Sequence, residues 1–222
     1  MSTQVSLQCD ALLFDLDGVL VDSAACVERT WRRWARQHGL DADRVIAVAH
    51  GRRTIETVQL VAPHLAADVE GDALAASESN TTEGICEIAG TRELLQRLPA
   101  GSWAIVTSGI RAVATNRLRH TGLPEPDVLV CADEIQNGKP DPEGYLTAAE
   151  RLGVAPSVCI VIEDAPAGLE AARAAGMRSI AISGTFPPEA LALADYTVPR
   201  LSALHVGVAT NDARFDIRLV RA

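Results

Sequence analysis

Six short apolar runs constrain this chain more than any other feature: ALLFD (11–15), WAIVTS (103–108), DVLVCA (127–132), VCIVIE (158–163), RSIAIS (178–183) and YTV (196–198). Their hydrophobicity is continuous rather than alternating, so each describes a strand covered on both faces. That is the pattern of a parallel sheet between two layers of helices. The intervening stretches supply the helices: TRELLQRL (91–98), RAVATNRLRHTG (111–122), PEGYLTAAERLG (142–153) and AGLEAARAAG (167–176). Three of them stop at Gly122, Gly153 and Gly176, as helix C-termini commonly do. Strand and helix in alternation predict an α/β fold, a doubly wound, Rossmann-like parallel sheet.

Residues 24–89 interrupt this rhythm. VERTWRRWARQHG, HGRRTIETVQLVAPHL and EGDALAASESNTTEGICEIA read as helices, with no convincing strand among them. The expected organisation is discontinuous: a core of residues 1–23 and 90–222, and an inserted helical cap of residues 24–89 crossed into near Ser23 and out of near Gly90. The tail, HVGVATNDARFDIRLV, alternates on either side of Asn211-Asp212 and predicts a hairpin or an edge addition.

Composition narrows the choice of function. A net charge of −9 and a pI near 5.0 would repel a nucleic-acid backbone or an anionic membrane, so neither is an expected partner. No apolar run approaches the ~18 residues of a membrane span. The start, MSTQVSLQCD, lacks a basic n-region, and a cytoplasmic location is expected. The five cysteines show no CxxC spacing and read as reduced packing residues. Among the twenty basic residues, Lys139 is the single lysine, which suggests a position needing a compact ammonium rather than a planar fork.

In a sheet of this kind the C-terminal strand ends share one edge, where ligands bind. Four predicted strands lead into polar residues there. Asp15 and Asp17 follow the first, and Thr107-Ser108-Gly109 follows the second. Lys139-Pro140 lies in the loop after the third, and Glu163-Asp164 closes the fourth. Any one of these could be a turn, a helix cap or a solvated strand end. Gathered on one edge, they describe chemistry. Asp15, Asp17 and Asp164 would raise one another's pKa unless a cation sat among them. A few carboxylates with water describe a Mg²⁺ site. Lys139 and the main-chain N–H groups after Thr107 add the positive field that a phosphoryl group requires.

DLDGVLVDS, VTSG, GKPDPEGY and IEDAPAGLEAARAAGM, in that order, resemble the four motifs of the haloacid dehalogenase superfamily, over residues 9 to about 200. The helical insertion resembles the small cap of its first subclass. The combination HGR, TEG, WAIVTSG, GKPDPEGY and EDAPAGLEAA is similar to bacterial sugar and polyol phosphatases and to yeast glycerol-phosphate and deoxyglucose-phosphate phosphatases. The resemblance implies that Asp15 is a nucleophile forming an aspartyl-phosphate. It implies that Asp17 is the acid for the leaving alcohol and then the base for water, its main-chain carbonyl also touching Mg²⁺. Asp164 would complete the protein ligands, with Glu163 behind it or bridged by water. The Thr107 hydroxyl and the Ser108 amide would hold phosphate oxygens, and Lys139 would bridge Asp15 and the phosphate.

Departures within the family refine this expectation. Dehalogenases lack the second aspartate, which is present here as Asp17. Schiff-base phosphonate hydrolysis needs a cap lysine, and Lys139 is the only lysine. β-Phosphoglucomutases carry a cap histidine where this chain has Val27, which favours a phosphatase over the alternative, a sugar-phosphate mutase. A non-catalytic phosphometabolite binder is disfavoured by the full set of motif residues. The expected activity is Mg²⁺-dependent hydrolysis of small sugar or polyol phosphate monoesters by a monomer or weak homodimer. Specificity is expected from the cap, with His50, Arg52 and Arg53 as the candidate contacts; Trp31 and Trp34 read as packing residues.

Overall fold

The computed structural model of the chain describes residues 5–208 and 215–219. In chain order these form β1 (Val5–Cys9), β2 (Ala11–Phe14), β3 (Val21–Asp22), then helices α1 (Ala24–Gln37), α2 (Ala42–Ala49), α3 (Thr54–Val61) and α4 (Ala67–Ser79). β4 (Cys86–Glu87), α5 (Thr91–Leu95), β5 (Trp103–Val106), α6 (Arg111–Thr121), β6 (Val128–Val130) and α7 (Glu143–Leu152) follow. The chain continues with β7 (Cys159–Glu163), α8 (Pro166–Ala174), β8 (Arg178–Ile182), β9 (Tyr196–Val198), β10 (Leu204–Val208) and β11 (Phe215–Leu219).

The six apolar runs form one parallel sheet in the order β6-β5-β2-β7-β8-β9. β2 is central, hydrogen-bonded to β5 on one side and β7 on the other, and all four of its residues are buried. Side-chain alternation sends Leu12 and Phe14 to one face and Ala11 and Leu13 to the other, which is why a strand in this position must be apolar throughout. Tyr145, Ala148 and Ala149 of α7 and Ala171 and Ala172 of α8 cover the second face. Leu94 and Leu95 of α5, Leu118 of α6 and the inner residues of a small three-stranded sheet cover the first.

That small sheet departs from expectation. β10 and β11 pair antiparallel, as the alternating tail predicts, but they join β1 in the order β1-β11-β10 and form a separate layer rather than an edge of the main sheet. Asn211-Asp212 lies outside the described residues. A second departure is β4, paired antiparallel with β3 through Val21 opposite Glu87 and Asp22 opposite Cys86, within a region expected to be purely helical. Helices α1–α4 carry their own apolar cluster, in which Trp31 and Trp34 meet edge to face at 5.4 Å. Both tryptophans are buried, and Trp34 Nε1 donates to Glu70 Oε2 at 2.7 Å, in keeping with a packing role. All five cysteines are free and four are buried; Cys86, in β4, is exposed. Among the described residues no helix is long and apolar enough to cross a membrane.

Candidate active site

The parallel sheet delivers four chain segments to one edge. The ladder hydrogen bonds run one residue past the strands themselves: Asp15 N–H donates to the Ile162 carbonyl and Thr107 N–H to the Val130 carbonyl, each at 3.0 Å. Asp15 and Thr107 are therefore fixed by sheet register and not by loop conformation, and Asp164 directly follows β7 with its amide turned to Glu163 Oε2. All three line a cavity of about 530 Å³ between the strand ends and helices α1–α4, a volume suited to a small molecule.

Lys139 is the hub beneath this cavity. Its side chain is 5 % exposed, and its Nζ donates to Asp15 Oδ1, to Glu163 Oε1 at 2.7 Å and to the Val106 carbonyl at 3.1 Å. The ammonium's three protons are all used, which is the geometry a compact point charge allows and a guanidinium does not. Tyr145 supports it from α7: the ring lies 5.1 Å from Nζ, and the hydroxyl donates to Glu163 Oε1 at 2.9 Å.

Glu163 accepts twice at each oxygen. Lys139 and Tyr145 meet Oε1, and the amides of Asp164 and Ala165 meet Oε2 at 2.9 and 3.0 Å. With its lone pairs committed, Glu163 orients Lys139 and the Asp164 turn rather than standing ready as a ligand. Two glycines make the room. A Cβ on Gly168 in α8 would lie 1.6 Å from Glu163 Oε1, and one on Gly18, at φ +81°, would lie 1.9 Å from Asp164 Oδ2.

The electrostatics of this cluster point to a missing positive charge. Asp15, Glu163 and Asp164 each offer an oxygen within 4.8 Å of the others, and all are buried. Burial pushes the Asp15 carboxyl up to about 7, with Glu163 and Asp17 adding to the rise and Lys139 opposing it. Burial, then Glu163 and Asp15, hold Asp164 well above the usual carboxylate range. Burial works against the charge on Lys139, but Asp15 and Glu163 outweigh it and keep the ammonium protonated. Three carboxylates against one ammonium leave two negative charges in a site with almost no solvent. A divalent cation fits that deficit and the all-oxygen donor set.

Asp17 sits differently. Its Oδ1 accepts from Ser23 Oγ and its Oδ2 from Arg117 Nη1, while its side chain keeps 28 % exposure to the cavity. Ser23 occupies the N-cap position of α1 but makes no cap hydrogen bond there; its hydroxyl is turned to Asp17 instead.

The structure brings most, not all, of the expected residues together. Asp15, Asp17, Thr107, Ser108, Asp164, His50 and Arg52 line the cavity, with Lys139 directly beneath it. Ser108 Oγ also donates to the Gly51 carbonyl at 2.9 Å, joining the strand-end loop to the helical unit. His50 meets Phe186 edge-on at 6.4 Å, and burial lowers its pKa. Arg53 lies elsewhere: Nε donates to Glu56 Oε1 at 2.7 Å and Nη1 to the Ile135 carbonyl at 3.3 Å, with the aliphatic stem against Gly138. Helical geometry explains the split, since Arg52 precedes α3 and faces the opening while Arg53, its N-cap, packs down on the β6–α7 loop.

Tyr145 closes the GKPDPEGY stretch without a role assigned to it, and Arg117 and Glu78 had no sequence motif to mark them. Arg117 did carry one signal: it falls on the apolar face of α6 beside Val113, Ala114 and Leu118, where a charge needs a buried partner.

Comparison with known proteins agrees with this architecture. Residues 9–176 match the haloacid dehalogenase-like hydrolases. The chain belongs to that family. It is 44 % identical to hexitol phosphatase A of Escherichia coli over 182 residues, covering 80 % of this chain and 84 % of the relative. It is 35 % identical to glycerol-1-phosphate phosphohydrolase 2 of Saccharomyces cerevisiae, over 82 % of this chain and 78 % of the relative. Among solved structures, a β-phosphoglucomutase from Clostridium difficile superposes with a TM-score of 0.72 at 26 % identity, covering 86 % of this chain and 91 % of that one. This haloacid dehalogenase-like hydrolase thus has both phosphatases and a mutase among its relatives.

Proposed function

We propose that the protein is a Mg²⁺-dependent phosphatase of small sugar or polyol phosphates that works through an aspartyl-phosphate on Asp15. The observation that carries this reading is the buried Asp15–Lys139–Glu163–Asp164 cluster, two positive charges short of neutral, at the floor of a cavity of small-molecule size. Phosphoryl transfer asks chiefly for positioning and charge neutralisation, and the cluster offers both.

Asp15 attacks phosphorus as the bond to the leaving oxygen breaks, and the carboxyl proton of Asp17 passes to that oxygen to release the alcohol. In the second half, the Asp17 carboxylate takes a proton from water, the hydroxide attacks phosphorus, and the bond to Asp15 breaks to free phosphate. Thr107 Oγ and the Ser108 amide hold the non-bridging oxygens, and Lys139 keeps Asp15 oriented. The Asp15 and Asp164 carboxylates and the Asp17 main-chain carbonyl would hold Mg²⁺, which supplies charge neutralisation when bound.

Residues 24–89 serve as the cap in this reading, and the rest as the core. His50 and Arg52 meet the alcohol portion of the substrate, while Arg53, committed to Glu56 and Ile135, stays outside the proposed set. Hexitol and glycerol phosphates are the favoured class, in line with the names of the two curated relatives. The active unit is a cytoplasmic monomer or weak homodimer. A mutase reading is disfavoured because Val27 lines the cavity where a mutase would place its cap histidine.

The test is phosphate release across a panel of sugar and polyol phosphates, with and without Mg²⁺, by the parent and by Asp15→Asn. Mg²⁺-dependent release lost in the variant supports the reading. Unchanged release by a folded Asp15→Asn protein refutes it. Conversion of β-glucose 1-phosphate to glucose 6-phosphate faster than phosphate appears would favour the mutase instead.

A further inference from the structure

Arg117 is a buried charged group with no part in the scheme above. It lies on α6, is 3 % exposed, and its guanidinium forks between two carboxylates. Nη1 donates to Asp17 Oδ2, in the loop after β2, and Nη2 donates to Glu78 Oε2 at 3.0 Å, on α4. Its Nε has no hydrogen-bond partner among the described residues. Burial works against the charge on Arg117, and Asp17 and Glu78 outweigh it. Burial likewise raises Glu78, with Arg117 opposing.

Stability is a poor explanation for this triad. Taking each ion out of water costs several kcal/mol, and a buried set with an orphaned donor recovers less than well-packed apolar side chains would. What the triad does provide is geometry. Ser23 Oγ holds one oxygen of Asp17 and Arg117 holds the other, so two donors fix the carboxylate plane. One donor stands at the start of α1, and the other is steadied by α4. A neighbouring tie, Asn116 Nδ2 to the Thr81 carbonyl at 3.1 Å, docks α6 beside the end of α4.

We infer that Arg117 is a positioning residue: through Glu78 it transmits the seating of α4 to the Asp17 carboxylate, so that Asp17 is aligned for proton transfer only when the helical unit is docked. The inference rests on the acid–base assignment of Asp17 and assigns a new role to two residues outside the motifs. A lysine at this position could not reproduce the device, because one ammonium lacks the fork that spans both carboxylates.

The test uses leaving-group chemistry. The value of kcat/KM reports the steps through departure of the alcohol, which needs a proton for an alkoxide and hardly needs one for p-nitrophenolate. It is measured for sorbitol 6-phosphate and for p-nitrophenyl phosphate in the parent, Glu78→Gln, Arg117→Lys and Asp17→Asn, with thermal melts on each. Glu78→Gln is expected to lose about tenfold or more on the sorbitol ester, within the range that small misplacement produces, and under about threefold on the aryl ester. Arg117→Lys should show the same pattern; if it folds poorly, Glu78→Gln carries the test alone. Equal losses on both substrates, or none on either, would mean a merely structural role and overturn the inference. Asp17→Asn separates the two levels, since its own loss on the sorbitol ester should reach roughly 10²–10⁴-fold. If Asp17→Asn discriminates between the esters while Glu78→Gln and Arg117→Lys do not, the Arg117 inference fails and the Asp17 assignment stands. If Asp17→Asn does not discriminate, the assignment falls and takes the inference with it.

Discussion

At the core end of the cavity, Lys139 Nζ meets three acceptors and Glu163 accepts four hydrogen bonds, all with almost no solvent contact. At the helical end, Arg52 is exposed and His50 is held by burial and one ring contact. The first region is over-determined: Lys139 and Glu163 each have several partners, drawn from strand ends, α7 and the turn after β7, so neither rotamer can change alone. The second is under-determined and can adapt to what enters. Such a division suits an enzyme whose invariant task is to receive a phosphoryl group and whose variable task is to select the alcohol attached to it.

Substitutions can break this contrast or sharpen it. The largest stability effect should come from the core hub. Lys139→Met removes the ammonium shared by Asp15 and Glu163, and leaving buried carboxylates unpaired costs about 3–5 kcal/mol. For a chain of this size that corresponds to a fall in Tm of roughly 6–20 °C, measured by thermal denaturation without added metal. A small change in Tm would show that the core end is as tolerant as the helical end.

The next effect separates Arg52 from Arg53. Arg52→Ala should raise KM for polyol phosphates about tenfold, the worth of one charged hydrogen bond, while leaving Tm nearly unchanged. Arg53→Ala should do the reverse, holding KM and lowering Tm by a few degrees as its contacts, worth about 1 kcal/mol, are lost. Steady-state kinetics and melts on the same samples check both. Equal kinetics for Arg52→Ala and the parent on every ester would remove it from the substrate contacts.

The smallest effect is a pH dependence at His50. Burial lowers its folded pKa below the unfolded value, so in acid the unfolded chain takes up the proton first. Stability contributed by neutral His50 is present above the unfolded pKa of about 6.5 and is lost as pH falls through that value toward the folded one. The parent should therefore lose more stability than His50→Gln between about pH 7 and pH 5, measured by urea denaturation. Parallel losses would mean that His50 is not confined as the structure has it.

The same two regions differ in how far sequence foretold them. The six core strands were readable because burial on both faces leaves an unbroken apolar run, and their shared polarity brings Asp15, Thr107, Lys139 and Asp164 to one edge. The elements that escaped notice have weaker signals. β3 and β4 have two residues each, too few to show any period. VSLQC in β1 is a short alternating strand whose partner, β11, lies more than two hundred residues away in sequence. In α2, ADRVIAVA, an apolar run resembles a strand as much as a helix. Arg117 and Glu78 reach the site only through tertiary packing, and no local spacing encodes that; Tyr145 lies inside GKPDPEGY, but its bond to Glu163 is likewise a tertiary contact. Arg52 and Arg53 were indistinguishable as neighbours in a basic pair; one turn of helix start sends them to different places.

Asp15 is the proposed acceptor of the phosphoryl group, and Asp17→Asn offers the means to catch it there. With p-nitrophenyl phosphate the leaving group departs without an acid, while hydrolysis of the adduct lacks its base. Acid quenching followed by peptide mass spectrometry should then find phosphate on the peptide carrying Asp15, approaching one group per chain. Phosphate fixed on another residue, or steady phosphate release by this variant with the Asp15 peptide unmodified throughout, would contradict the account.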